Sequence, residues 1–292
     1  MATTVPDPLG PATNLPPGVA SRFVMAGGIR THYLEAGEGE PLILLHSAEF
    51  GGRAEFSWRY NIAALAEHFH VYAPDMVGFG RTEKIFNFSD RSGFRVRHIR
   101  AFMDTLCIES AHFMGNSFGG SLLQTVAAQD PPPWNIRSIV SVSGGGYAPD
   151  NDARKVLTHY DGSREGMREI LKVLFWDERW WADEFVEERW RASLEPGAWE
   201  AVAAARLAPP GHERGFVGER GDPSRIRVPV LIVGGDRDLL REPGCWEDLH
   251  ARIPHSELKI FSPARHCPHI EFADEFNRLA IDFLLRHSGR RA

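Results

Sequence analysis

Three separated stretches hold side chains able to cooperate in nucleophilic catalysis. "HFMGNSFGGS" (112–121) sets Ser117 between Gly115 and Gly119, "DRDLL" (236–240) holds Asp236 and Asp238, and "RHCPH" (265–269) holds His266 and His269. A serine hydroxyl is a weak nucleophile at neutral pH. It needs a base within hydrogen-bond reach, and the base needs an acid that fixes its tautomer. The order serine, acid, histidine suits attack on a carbonyl carbon, with Ser117 as nucleophile, His266 as base and an aspartate as orienter. Asp236 directly follows an apolar run and Asp238 lies two residues further on, which favours Asp238; Asp236 is the competing choice, as His269 is for His266. "HCPH" lacks further ligand spacing, so no metal site is expected.

The negative oxygen formed by such an attack needs donors. The amide of Phe118 opens a helix, where free N–H groups and the dipole favour negative charge. "LILLHSAEFGG" (42–52) ends an apolar run at His46 and continues in small residues, so Ser47 or Ala48 is expected to supply a second backbone N–H. "PDMVGFGRT" (74–82) lacks the glycine spacing of a phosphate loop and reads as a tight turn.

The elements that must position these groups follow from the hydrophobic pattern. "PLILLH" (41–46), "HVYAPDM" (70–76), "AHFMGN" (111–116), "IRSIVSVS" (136–143), "VPVLIVGGD" (228–236) and "ELKIFS" (257–262) read as buried strands. Between two of them, Val96, Ile99, Phe102, Met103 and Leu106 recur at helical spacing, and "SLLQTVAAQ" is a second helical stretch. This alternation predicts an α/β fold with a mostly parallel sheet covered on both faces. Ser117, both aspartates and His266 then fall at carboxyl ends of strands, where open parallel sheets bind ligands. The alternation stops over 145–225, a stretch rich in Trp, Glu and Arg that reads as a helical lid. The expected organisation is a loose arm over 1–20, a core over 21–144 and 226–292, and the lid between.

Composition narrows the function classes. The chain has 292 residues, 43% hydrophobic and 25% charged, with a net charge of −6. Its arginines are scattered, which argues against nucleic-acid binding. Three distant cysteines suggest neither a disulfide framework nor a metal site and fit a reducing cytoplasm. The Pro- and Gly-rich start lacks the character of a secretory signal, and no run is long enough to span a bilayer. A small-molecule substrate is expected, with no cofactor, no metal, no nucleic acid and no membrane; a homo-oligomer is compatible with the sequence.

"LLHSA", "APDMVGFGRT", "GNSFGG", "GGDRD" and "RHCPHIEFADEFNRLAIDFL" stand in an order that resembles the α/β-hydrolase fold family over nearly the whole chain past the arm. Within that family "GNSFGG", "EFADEFNRLAIDFL" and "ERWRASL" resemble the meta-cleavage-product hydrolases, which split a carbon–carbon bond in vinylogous 1,5-diketones from aromatic-ring cleavage. The resemblance implies a triad of Ser117, Asp238 and His266, oxyanion donors at Phe118 and Ala48, and Asn116 as a neighbour shaping that site. It implies that Arg189, followed by Trp190, engages a dienoate carboxylate from the lid; an arginine in an Arg/Glu-rich helix also reads as a solvated face. It further implies ketonisation of an enol with His266 moving a proton, then addition of Ser117 or a Ser117-oriented water to the distal ketone. Two departures alter the pocket: Ser47 stands where glycine usually follows the histidine, and Cys267 where tryptophan commonly follows the catalytic histidine. A carboxylesterase or lactonase would need the same triad, and a non-catalytic ligand receptor could share the fold.

Overall fold

The computed structural model describes residues 15–146, 148–204, 207 and 221–289. Most of the expected arm and much of the stretch leading out of the expected lid lie outside these residues. The chain opens with a hairpin, β1 (Ala20–Ala26) and β2 (Ile29–Ala36), followed by β3 (Glu40–Leu45), the short helices α1 (Ala54–Trp58) and α2 (Ile62–Ala66), and β4 (Phe69–Pro74). Next come α3 (Arg91–Thr105), β5 (Ala111–Asn116), α4 (Phe118–Ala127) and β6 (Ile136–Val142). An insertion follows whose described elements are helices, α5 (Asp152–Thr158), α6 (Arg164–Leu174), α7 (Asp183–Ser193) and α8 (Ala198–Ala203). The chain returns through β7 (Val230–Gly235), α9 (Cys245–Arg252), β8 (Ser256–Phe261), α10 (Pro268–Glu271) and α11 (Ala273–Arg286).

The eight strands form one sheet in the order β1-β2-β4-β3-β5-β6-β7-β8, antiparallel at β1/β2 and β2/β4 and parallel elsewhere. All six expected strands are present with ends shifted by at most two residues, whereas the hairpin is new. Its turn is Gly27-Gly28, both at positive φ (59° and 82°), the backbone a two-residue hairpin demands. β1 is an edge strand with few buried residues, so it carries little hydrophobic signal.

Side chains alternate across the central strands into two apolar layers. Ile43, Leu45, Phe113, Val230 and Ile232 pack with Phe102 of α3, Leu123 of α4 and Trp246 of α9. Leu42, Leu44, Met114, Leu231 and Val233 pack with Trp58 of α1, Leu65 of α2 and Phe276 of α11. Burying both faces explains the nearly unbroken apolar runs. A third cluster joins Met167, Leu171, Phe175, Trp180 and Val186 of the insertion to Phe50, Leu240 and Cys267 from the loops after β3, β7 and β8 and to Ile270 of α10. The insertion thus sits on the carboxyl ends of these strands. No helix among the described residues is long and apolar enough to cross a membrane.

Candidate active site

Ser117 occupies the one-residue elbow between β5 and α4, at φ 52° and ψ −107°. Non-glycine residues rarely adopt this backbone, and the elbow is held from both sides. The Ser117 amide donates to Val142 O (2.7 Å), and its carbonyl accepts from Ser121 N (2.9 Å). The glycines let α4 approach the sheet. A Cβ on Gly115 would lie 2.5 Å from the Gly119 carbonyl carbon, and one on Gly119 would lie 2.4 Å from Leu45 O.

His266 reaches Ser117 from the loop after β8. Ser117 Oγ donates to His266 Nε2 at 2.8 Å, and His266 Nδ1 donates to Asp238 Oδ2 at 2.8 Å. Asp238 Oδ1 accepts from Leu240 N (2.9 Å). Burial works to raise the Asp238 carboxyl, but the adjacent His266 charge and hydrogen bond, helped by Arg241, outweigh it and hold the group below the usual carboxylate range. An ionised acceptor on Nδ1 leaves Nε2 free to accept a proton.

The competing residues are placed elsewhere. Asp236 accepts from Ser262 Oγ (2.8 Å) and Ala264 N (3.1 Å), bracing β7 against the loop after β8. His269 is buried against Trp58, with Nε2 donating to Ser57 O (3.0 Å), and burial pushes it down to about 3. It is therefore a neutral packing group. No three His, Cys, Asp or Glu side chains gather as metal ligands among the described residues.

Between Ser47 and Ala48 the hydrogen bonding discriminates. Ser47 N already donates to Ser57 Oγ (3.3 Å), whereas the amides of Ala48 and Phe118 have no acceptor among the described residues. His46 sets the loop by donating from Nδ1 to Ser47 O (2.7 Å) and accepting at Nε2 from Met76 N (2.9 Å). Its burial lowers its pKa, consistent with that neutral tautomer. Asn116 is buried beside Ser117, and its Nδ2 finds no partner among the described residues. That leaves an unpaired donor on the residue preceding Ser117.

Arg189 is buried, not on a solvated face. It pairs with Glu49, the residue after Ala48, and lies 4.4 Å from the Phe56 ring centroid, with Nε unpartnered. Trp190 is turned into the insertion, where its indole N–H donates to Gly162 O (2.9 Å). Cys267 is buried, and desolvation pushes its thiol well above the ordinary value, so it stays protonated.

Three supporting groups escaped the sequence reading. Asp75 accepts from His32 Nδ1 (2.7 Å), Ala54 N (2.7 Å) and Arg81 N (2.9 Å), tying the loops after β3 and β4 together; burial works against its ionisation, but the His32 charge and hydrogen bond keep it far below the usual range. Glu271 accepts from Trp176 N, Asp177 N and Arg265 N, clasping the insertion to the His266 loop. His266 N also donates to Leu174 O (3.0 Å). The signal for Asp75 lies in "APDMVGFGRT", whose tight turn closes on that carboxylate; Glu49 and Glu271 carry no sequence signal beyond their charge.

The comparisons agree with this architecture. The family model described as alpha/beta hydrolase fold matches residues 41–273. The chain is 32% identical to 2-hydroxymuconate semialdehyde hydrolase of Pseudomonas sp. (strain CF600), covering 90% of this chain and 93% of that protein. It is also 32% identical to 2-hydroxy-6-oxo-2,4-heptadienoate hydrolase of Pseudomonas putida (strain F1), covering 90% and 95%. Among solved structures, a meta-cleavage product hydrolase from Pseudomonas fluorescens IP01 superposes with a TM-score of 0.83 at 31% identity, over 91% of this chain and 98% of that one. The chain therefore belongs to the α/β hydrolase fold family, and within it is most like the meta-cleavage product hydrolases.

Proposed function

We propose that this protein is a serine-type hydrolase that cleaves a carbon–carbon bond in a 2-hydroxy-6-oxo-dienoate from aromatic catabolism. The observation that carries the hydrolytic part is the relay of two 2.8 Å hydrogen bonds, Ser117 to His266 to Asp238, on a strained elbow. Likeness to the dienoate hydrolases supports the substrate class.

The steps follow from the groups present. With Asp238 on Nδ1, His266 moves the proton that converts the dienol to its keto form. It then accepts the Ser117 proton, or that of a water held by Ser117, as the oxygen adds to the distal ketone. The amides of Phe118 and Ala48 meet the oxyanion, and Asn116 Nδ2 supplies a further buried donor beside it. The bond between the former ketone carbon and its neighbour breaks, and its electron pair leaves into the conjugated enolate. The proton held by His266 passes to that enolate fragment, and water, either as the attacking oxygen or by hydrolysing the Ser117 ester, completes a carboxylic acid on the other. The insertion closes the site as a lid, excluding water around these charges, and Arg189 reaches the substrate carboxylate through its free Nε edge.

A second reading, a carboxylesterase or lactonase, is favoured by the Arg189–Glu49 pair, which cancels the charge an anionic substrate would seek. Comparing turnover of an aryl dienoate, an alkyl dienoate and a neutral aryl ester separates the two. Dienoate kcat/KM well above that for the ester supports carbon–carbon hydrolysis, and turnover of the ester alone would establish the second reading.

A further inference from the structure

Most cations around the site are answered by named partners. Arg189 pairs with Glu49, Arg53 with Glu195 (2.6 Å) and Arg59 with Glu188 (2.8 Å), while the Lys84 ammonium donates to the carbonyls of Gly80 and Thr82. Arg95, near the start of α3, differs. Its guanidinium has no carboxylate or hydrogen-bond acceptor among the described residues. The acid on its own helix turn, Asp90, is taken by Gly93 N (3.0 Å) and Arg97 (2.8 Å). The nearby charge is another cation, Arg91, which donates to Ala204 O. Burial, reinforced by Arg91, pulls the Arg95 pKa down to about 10. A half-buried cation with no counter-ion among the described residues gains the fold little, and its place is open to an anionic ligand.

That place adjoins the side chains of two residues that flank the candidate site. The Arg95 guanidinium carbon lies 5.0 Å from the centroid of the Phe118 ring and 5.6 Å from that of Phe79. Phe118 carries the amide next to Ser117, and the Phe79 ring meets the His46 imidazole at 5.3 Å, at the head of the loop bearing Ala48. Aromatic rings hold a planar cation by its faces and leave its N–H edge available, the arrangement that meets a carboxylate with two parallel hydrogen bonds.

We propose that Arg95 supplies the counter-charge for a carboxylate of the substrate, a specificity role that rests on the hydrolase reading above. Two sources share this chemistry: the dienoate's own carboxylate, or a second one on the group attached to the ketone. The test uses Arg95→Met, which keeps an apolar stem between the rings, and Arg95→Lys, which keeps the charge without the fork. Each is assayed with a 6-phenyl dienoate, a dienoate whose 6-substituent ends in a carboxylate, and a neutral aryl ester. In Arg95→Met, kcat/KM for the acids relative to the ester is expected to fall about a hundredfold, mainly through KM, with part restored in Arg95→Lys. A loss confined to the dicarboxylate assigns Arg95 to the distal carboxylate, and a loss on both assigns it to the common one. Equal losses on acid and ester, or none on either acid, would overturn the proposal. Inhibition of ester turnover by benzoate, with benzamide as neutral control, keeps the test independent of the dienoate reaction. Benzoate inhibition at least tenfold weaker in Arg95→Met, with benzamide unchanged, supports the counter-charge even if no dienoate is cleaved, and unchanged benzoate inhibition contradicts it.

Discussion

Replacing Asp238 by asparagine changes few atoms and removes one function. In the native site one carboxylate oxygen accepts the His266 Nδ1 proton at 2.8 Å while the other accepts from Leu240 N at 2.9 Å. An asparagine can keep its carbonyl oxygen on Leu240 and then turns an NH2 group toward Nδ1. A donor there forces the imidazole proton onto Nε2, where it blocks acceptance of the Ser117 proton. Loss of the tautomer and of imidazolium stabilisation costs about 10⁴ in kcat, or roughly 5 kcal/mol of transition-state stabilisation. Asp236→Asn touches the brace to Ser262 and Ala264 and an exposed ion pair with Arg237 (3.3 Å), all away from His266, so its kcat is expected within tenfold of native, with a stability loss of about 1 kcal/mol. Steady-state kinetics of both variants on one substrate, with urea midpoints as a fold control, check the pair. An Asp238→Asn enzyme keeping more than a tenth of native kcat, or Asp236→Asn showing the larger loss, would refute the assignment.

Other perturbations test the supports. Gly119→Ala sets a Cβ against Leu45 O and must push α4 off the sheet; a loss of about 3 kcal/mol in urea stability and at least a hundredfold in kcat is expected. Glu49→Gln leaves the buried Arg189 charge without its counter-ion, so stability should fall by about 3 kcal/mol while acid-over-ester selectivity rises, as read from denaturation midpoints and paired kcat/KM values. Buried His98 and His269 are pushed down by desolvation, to about 4 and about 3, while unfolded histidine titrates near 6.5. The unfolded chain therefore binds more protons below about pH 6.5, and stability, full above that pH, drains away on acidification, by about 3 kcal/mol at pH 4 from His98 alone. Urea midpoints between pH 8 and 5 should fall with pH, and His98→Gln should flatten the slope.

The parallel core was legible because strands buried on both faces appear as apolar runs and the intervening helices repeat at three and four. The β1–β2 hairpin was not, since an edge strand buries little; Gly27-Gly28 was its one local sign. Ser117 and His266 could be placed from strand ends and chain order, with His269 as the competitor, and position after the strand already favoured Asp238 over Asp236; what lay beyond the sequence was which carboxylate turns toward the imidazole. Between Ser47 and Ala48 the deciding contact was Ser57, ten residues away, which occupies one of the two amides. Charge pairing was the least visible layer. Arg189 and Glu49 are 140 residues apart in the chain and meet only because the insertion folds over the loop after β3, while Arg95 sits in a polar stretch whose helical spacing gives no hint that two rings enclose it.

In the proposed reaction the Ser117–His266–Asp238 relay hydrolyses a carbon–carbon bond. The most direct test is product analysis after turnover of a 2-hydroxy-6-oxo-dienoate in ¹⁸O-labelled water, comparing the native protein with Ser117→Ala. The expected outcome is a carboxylic acid carrying ¹⁸O, released with loss of the dienoate absorbance, and a Ser117→Ala rate lower by at least about 10³. An intact dienoate after prolonged incubation with native protein that rapidly hydrolyses a neutral ester would contradict it.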